Sequence, residues 1–132
     1  MLFRSTHFVL QTPQDRCFAR GAPDLMVQLL DKLIENAVDF CPQEGKVTIR
    51  LEHVQANYCL QVANDGPLIP EALMGRLFES LFEQRQGGDD KPHFGLGLYI
   101  VRLIAEFHAG TAAAANRDDG SGVVFTITLP LI

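Results

Sequence analysis

Cysteine, net positive charge and long apolar runs are all scarce in this 132-residue chain. Its three cysteines, Cys17, Cys41 and Cys59, are odd in number, far apart and set in apolar-patterned segments. That argues against a disulfide framework or a metal cage and for reduced residues in or near a core. Eleven Lys and Arg stand against sixteen Asp and Glu, so there is no basic face for nucleic acid. No stretch approaches the ~18 consecutive apolar residues of a membrane span, which points to a soluble piece with no membrane contact of its own. No signal peptide is visible at Met1, and strand-like sequence begins almost at once, as in an excised domain. Internal repeats and low-complexity tracts are missing as well.

What is present is enough for one core. With 47% apolar residues, a chain of this size is a single domain able to bury roughly two-thirds of its unfolded surface. The segment from Asp24 to Pro42 organises the rest. On a helix at ~100° per residue its apolar side chains, Leu25, Leu29, Leu33, Ala37 and Phe40 among them, sweep an arc of about 220° that must face a core. Asp24 is placed to cap this helix. Gln28, Asp31, Lys32, Glu35 and Asp39 fill the polar sector, but Asn36 falls inside the apolar arc, between Leu25 and Leu29. A buried amide is costly unless its oxygen and nitrogen find partners, and these are either main-chain groups or something bound.

Around this helix the pattern is that of a sheet. His7 to Gln11 and Arg16 to Ala19 read as short strands about the turn Thr12-Pro13-Gln14-Asp15. Lys46 to Glu52 and Tyr58 to Val62 alternate as an antiparallel hairpin. Asn64 to Pro70 reads as loop, Glu71 to Glu83 as helix, and Gln84 to Pro92 as a surface loop with no apolar anchor. Gly95-Leu96-Gly97 leads into a helix from Tyr99 to His108, apolar almost all round except for an edge of Arg102, Glu106 and Tyr99, and closed by Gly110. Thr111 to Asn116 and Val123 to Leu129 are two final strands across a polar turn. This order predicts an α/β fold: a two-layer α/β sandwich, with a mixed, mostly antiparallel sheet of about five strands and about three helices on one face.

Glycines before a helix let the backbone approach an anion, and a helix N-terminus offers unpaired N–H groups and positive dipole charge. Gly95-x-Gly97 alone equally suits close helix packing. The combination is more specific. Leu33-Ile34-Glu35-Asn36-Ala37-Val38-Asp39-Phe40, Val62-Ala63-Asn64-Asp65-Gly66-Pro67-Leu68-Ile69-Pro70, Leu77-Phe78-Glu79-Ser80-Leu81-Phe82 and Gly95-Leu96-Gly97-Leu98-Tyr99 follow one another in order. They resemble the asparagine box, first glycine box, phenylalanine box and second glycine box of the catalytic, ATP-binding domain of bacterial sensor histidine kinases. That domain shares its superfamily with gyrase, Hsp90 and MutL, and its likeness runs from about Asp24 to Pro130. The run Phe107-His108-Ala109-Gly110 is also similar to kinases paired with proteobacterial sortase systems.

The resemblance implies a Bergerat-type ATP site. Asn36 would supply an oxygen to Mg²⁺ bridging the ATP phosphates, consistent with a hard cation's preference for oxygen. Phe40 would lie against the adenine, Gly66 would let the chain pass close to the base, and Leu68 and Ile69 would follow it round the pocket. Gln84 to Phe94, with Lys91, His93 and Phe94, would form the ATP lid, and Gly95, Leu96, Gly97 and Leu98 would meet the phosphates. Departures from the family pattern are specific. The adenine-reading Asp is Asn64, whose oxygen still accepts from an amino group. Leu68 and His93 replace glycines. The phosphate-contacting Lys is Asp39, and Lys32, one turn before Asn36, is placed to take over that charge.

The function implied is the phosphoryl-donating domain of a two-component kinase, one fragment of a larger, membrane-anchored chain with its catalytic part in the cytoplasm. Its partners would be the dimerisation and histidine-acceptor domain of the same chain and a downstream response regulator. His7, His53, His93 and His108 are not in a helical His-(Glu/Asp) acceptor pattern, so the acceptor is elsewhere. Two alternatives remain open: a nucleotide-binding signalling module without transfer, and a stand-alone serine kinase or ATPase. Against the ATPase, Lys32 stands where such enzymes place a general-base Glu.

Overall fold

A computed structural model describes residues 6–12, 22–79 and 95–130. Strand β1 (His7–Gln11) precedes helix α1 (Pro23–Phe40), and strands β2 (Lys46–Val54) and β3 (Asn57–Asp65) follow as a hairpin. Helices α2 (Glu71–Met74) and α3 (Gly95–Phe107) come next, and strands β4 (Thr111–Asn116) and β5 (Gly122–Pro130) complete the chain. The sheet has five strands in the order β1-β2-β3-β5-β4. Only β1 runs parallel to its neighbour, pairing Phe8 with Val47 and Leu10 with Ile49; the other pairs are antiparallel. The mixed, mostly antiparallel sheet of the sequence reading is the one observed.

Helix α1 lies on β3 and α3, and α3 lies on β4 and β5. Leu29, Leu33 and Ala37, four residues apart, are wholly buried on one stripe of α1, as the period of a helix requires. They meet Val47 and Val62 from the hairpin, Leu98, Val101 and Ala105 from α3, and Phe125 and Ile127 from β5. Alternation along β5 puts Val123, Phe125, Ile127 and Leu129 in this core, leaving the intervening side chains on the other face. Cys41 is buried, its Sγ donating to the Lys46 carbonyl at 3.8 Å, and Cys59 is half-buried; neither is in a disulfide. Burial and the Glu52 carboxylate push the Cys59 thiol above its ordinary value, and Arg50 partly offsets them.

Four local expectations need correction. The N-cap of α1 is Ala22 with no side-chain cap bond; Asp24 sits inside the first turn, where its charge still meets the positive end of the helix dipole. Strand β3 extends through Asn64 and Asp65, which pair with Val123 and Gly122 of β5, so ladder bonds override the turn preference of Asn-Asp-Gly. Of the helix expected over 71–83, the described part, through Glu79, is helical for a single turn, Glu71–Met74. Gly75, about 1 kcal/mol poorer than Ala in a helix, follows at its C-cap, and the chain turns to bury Leu77. Helix α3 begins at Gly95 itself and ends with Ala109 in the left-handed region at φ 63°. Gly110 answers a different need: a Cβ there would lie 2.0 Å from the Thr128 carbonyl oxygen. The expected strand at Arg16 to Ala19, Cys17 and the loop Gln84 to Phe94 lie outside the described residues.

Candidate nucleotide-binding site

Asn36 emerges on the side of α1 that carries Phe40 one turn later, and both line a slot of about 40 Å³. The rest of the wall is Asn64, Pro67, Leu68, Ile69, Val123 and Phe125. Asn36 and Asn64 are therefore the two polar side chains of an otherwise apolar lining. The Asn36 Oδ1 atom is buried and has no hydrogen-bond partner among the described residues. An amide oxygen in that condition forfeits about 1–3 kcal/mol. It is a hard donor with both lone pairs unused, which is what Mg²⁺ accepts when substrate phosphates supply most of its other ligands.

Asn64 is 1% exposed, on the helix-facing side of β3. Its Nδ2 donates to the Asp65 carbonyl at 3.0 Å, which leaves the oxygen and the second N–H to offer. Asp65 itself is turned to the sheet: Oδ2 accepts from the Lys46 N–H at 2.9 Å, and Oδ1 lies 3.4 Å from the Arg117 guanidinium. Gly66 follows at φ +144°, and a Cβ there would stand 2.6 Å from the Phe40 carbonyl oxygen. Its missing side chain thus serves the close approach of the loop to the end of α1. Leu68 is exposed at the slot's rim and Ile69 is buried. Leu77 is buried in the core, and the ring of Phe78 meets Phe125 edge-on, with centroids 6.3 Å apart. The phenylalanine box thereby braces a residue of the slot.

The first turn of α3, where the resemblance places the phosphates, contributes no residue to the slot. Among the described residues, a Cβ on Gly97 would meet nothing nearer than the Lys32 Cδ at 3.9 Å, so the lysine stem runs beside this helix start. Lys32 is half-buried and Asp39 exposed; Asp39 takes no part in the slot. Leu98 is 1% exposed and belongs to the core, so its side chain is turned away from the slot. Gly95 and Leu96 contribute the opening backbone of α3. Lys91, His93 and Phe94 lie outside the described residues.

One residue of the site was not foreseen. Asn116, at the end of β4, accepts from the Ile69 N–H at 2.8 Å and donates to the Ile69 carbonyl at 3.0 Å. In the sequence it ends a strand just before a polar turn, and nothing local marks it as a partner of a loop 47 residues away.

A five-stranded sheet with α1 and α3 packed on it, and a small apolar slot into which Asn36 and Asn64 bring amides, defines a two-layer α/β domain. Residues 21–132 match the family described as histidine kinase-, DNA gyrase B- and HSP90-like ATPase, and the chain belongs to that family. It is 39% identical over 109 residues to the sensor protein ChvG of Rhizobium meliloti, covering 78% of this chain and 19% of the relative. It is 32% identical over 133 residues to the adaptive-response sensory kinase SasA of Rippkaea orientalis, covering 97% and 32%. The catalytic domain of histidine kinase ThkA, solved without nucleotide, superposes with TM-score 0.82 at 30% identity over 96% of this chain and 80% of that one. ThkA in complex with the response regulator TrrA matches with TM-score 0.78 at 28% identity, over 96% of this chain and 34% of that one. The chain spans about a fifth to a third of the length of the curated relatives it matches. It is an ATPase domain of the kind that sensor histidine kinases carry. Nothing in these matches bears on the finer likeness to kinases of sortase systems.

Proposed function

We propose that this domain binds Mg-ATP and donates the γ-phosphoryl group to a histidine on a separate dimerisation domain of the same kinase chain, for relay to a response regulator. In that transfer the P–N bond to the imidazole forms as the P–O bond to ADP breaks. The observation that carries the reading is the buried Oδ1 of Asn36, without a partner among the described residues, in a slot whose other described walls are apolar but for Asn64. Mg²⁺, when bound, neutralises triphosphate charge, and Asn36 is the residue that would hold it. Asn64 would accept from the adenine amino group, Phe40 and Ile69 would flank the base, and the N-terminus of α3 with Lys32 would face the phosphates. Positioning and charge neutralisation account for most of the catalysis such a site supplies. His53 is on β2, exposed, with Nε2 at 3.0 Å from the Gln55 carbonyl, and His108 is buried at the end of α3. These two, like the exposed His7 on strand β1, are not in a helical His-(Glu/Asp) pattern, and the reading assigns the phosphorylated histidine to another domain. The relatives are named as sensor proteins and sensory kinases, and the ThkA complex pairs such a kinase with a response regulator. These support the kinase and response-regulator part of the reading; a membrane-anchored chain with its kinase part in the cytoplasm is proposed with it. No helix among the described residues is long and apolar enough to cross a membrane, so an anchor would belong to another part of the chain.

The test is isothermal titration of ATP with and without Mg²⁺. Asn36→Ala is expected to remove the metal-dependent part of the affinity and keep the remainder. Equal binding by wild type and variant, with the same Mg²⁺ dependence, overturns the assignment of Asn36.

A further inference from the structure

The wall of the slot formed by residues 66–70 has no helix or strand of its own to fix it. It is fixed at Ile69, 5% exposed, whose N–H and C=O both bond to the side chain of Asn116 at 2.8 and 3.0 Å. This reproduces with one amide the two-bond exchange between opposed residues of an antiparallel ladder. It also uses up the main-chain donor and acceptor nearest the buried Ile69 side chain. From the same position Asn116 keeps its place in β4 opposite Val123 of β5, and Val123 itself lines the slot. Neighbouring bonds hold the end of β3 independently: the Gly66 N–H donates to the Ser121 carbonyl at 3.0 Å, and Arg117 reaches Asp65 at 3.4 Å. Loss of the Asn116 amide therefore releases the loop at Ile69 alone.

We infer that Asn116 is the positioning residue that sets base selectivity in this site. By taking up both main-chain groups of Ile69, it keeps this wall of the slot apolar and leaves the reading of the base to Asn64. The inference rests on the slot being the adenine pocket. Without the amide, the Ile69 N–H and C=O become a free donor and acceptor beside the slot. Such a pair serves the edge of guanine as well as that of adenine, and the loop that carries it is no longer held.

The experiment titrates the wild-type chain, Asn116→Ala and Asn116→Asp with adenosine, ATP, GTP and Mg-tripolyphosphate, and records the melting temperature of each ligand-free protein. The aspartate keeps an acceptor for the Ile69 N–H but sets an oxygen against the Ile69 carbonyl, so it tests the second bond alone. Both variants are expected to weaken adenosine and ATP by a common factor of about tenfold, the worth of one to two hydrogen bonds. They should also narrow the preference for ATP over GTP while leaving tripolyphosphate unchanged. Wild-type adenosine affinity and an unchanged ATP-to-GTP ratio in both variants overturn the inference. So does a uniform loss of all four ligands that tracks a fall in melting temperature. If the wild type binds tripolyphosphate but no adenosine, the adenine reading of the slot fails and the inference falls with it.

Discussion

Lys32 and Asn36 sit one helical turn apart on α1, and the two carry opposite lessons about single residues. Asn36 was conspicuous because it breaks an apolar arc, and the structure gives the break a physical form in an oxygen with no partner among the described residues. Lys32 was ambiguous between a solvated surface lysine and a phosphate ligand. Its half-buried position, with Cδ 3.9 Å from where a Gly97 Cβ would stand, sets it beside the start of α3. A cation in that partly dehydrated place attracts triphosphate by more than the ~1 kcal/mol of an exposed pair. Lys32→Ala is therefore expected to weaken ATP more than ADP and to leave adenosine unchanged. Titrations with the three ligands at two salt concentrations check it, and equal effects on all three mean a surface lysine. Asn116 shows the opposite limit: in the sequence it ends a strand just before the polar turn that starts at Arg117, and its tie to Ile69 exists only once β4 is laid beside β5.

At the level of elements, α3 is tied to the start of α1 by its far end. Arg102 lies over the Tyr99 ring at 5.2 Å and within 3.7 Å of Glu106, the polar edge that the sequence pattern isolated. Past the last turn, His108 is buried and uses both ring nitrogens. Nδ1 lies 2.7 Å from the Ile104 carbonyl, and Nε2 accepts from the Ala22 N–H at 3.1 Å. The second bond ties the end of α3 to the N-cap of α1, where no side chain caps the helix. His108→Phe keeps the size and removes both bonds, so a loss of about 1–2 kcal/mol is expected. Urea unfolding measures it, and hydrogen exchange should show faster opening at the first turn of α1. Adenosine affinity, set at the opposite end of α1, should hold. This link was out of reach of local pattern, because it joins residues 86 apart. The overlong prediction for α2 failed for the same kind of reason: helix periodicity continued past Gly75, but burial of Leu77 decided the chain's path.

For the molecule as a whole, one core lies between the sheet and its two longer helices, and α1 is its spine. Leu33, wholly buried at the centre of the α1 stripe, is the sharpest probe of it. Leu33→Ala is expected to cost 2–5 kcal/mol, with the urea midpoint lowered and the slope of the transition unchanged. A cost under 1 kcal/mol would mean that the layers close readily over the cavity.

The sequence by itself determined the class of fold, the facing of α1 and the oddness of Asn36. Periods of 3.6 and 2 follow from backbone geometry alone, and burial of the apolar face is compulsory wherever those periods hold. The order of the boxes carried the family as well. Tertiary structure alone decided that Asn64 and Asp65 finish a strand, that Gly66 answers the Phe40 carbonyl, and that Leu98 turns into the core. It also decided that Asn116 fastens the wall of the slot. Each of these depends on which distant backbone lies within hydrogen-bond or van der Waals reach, and that is settled by the packing of the two layers.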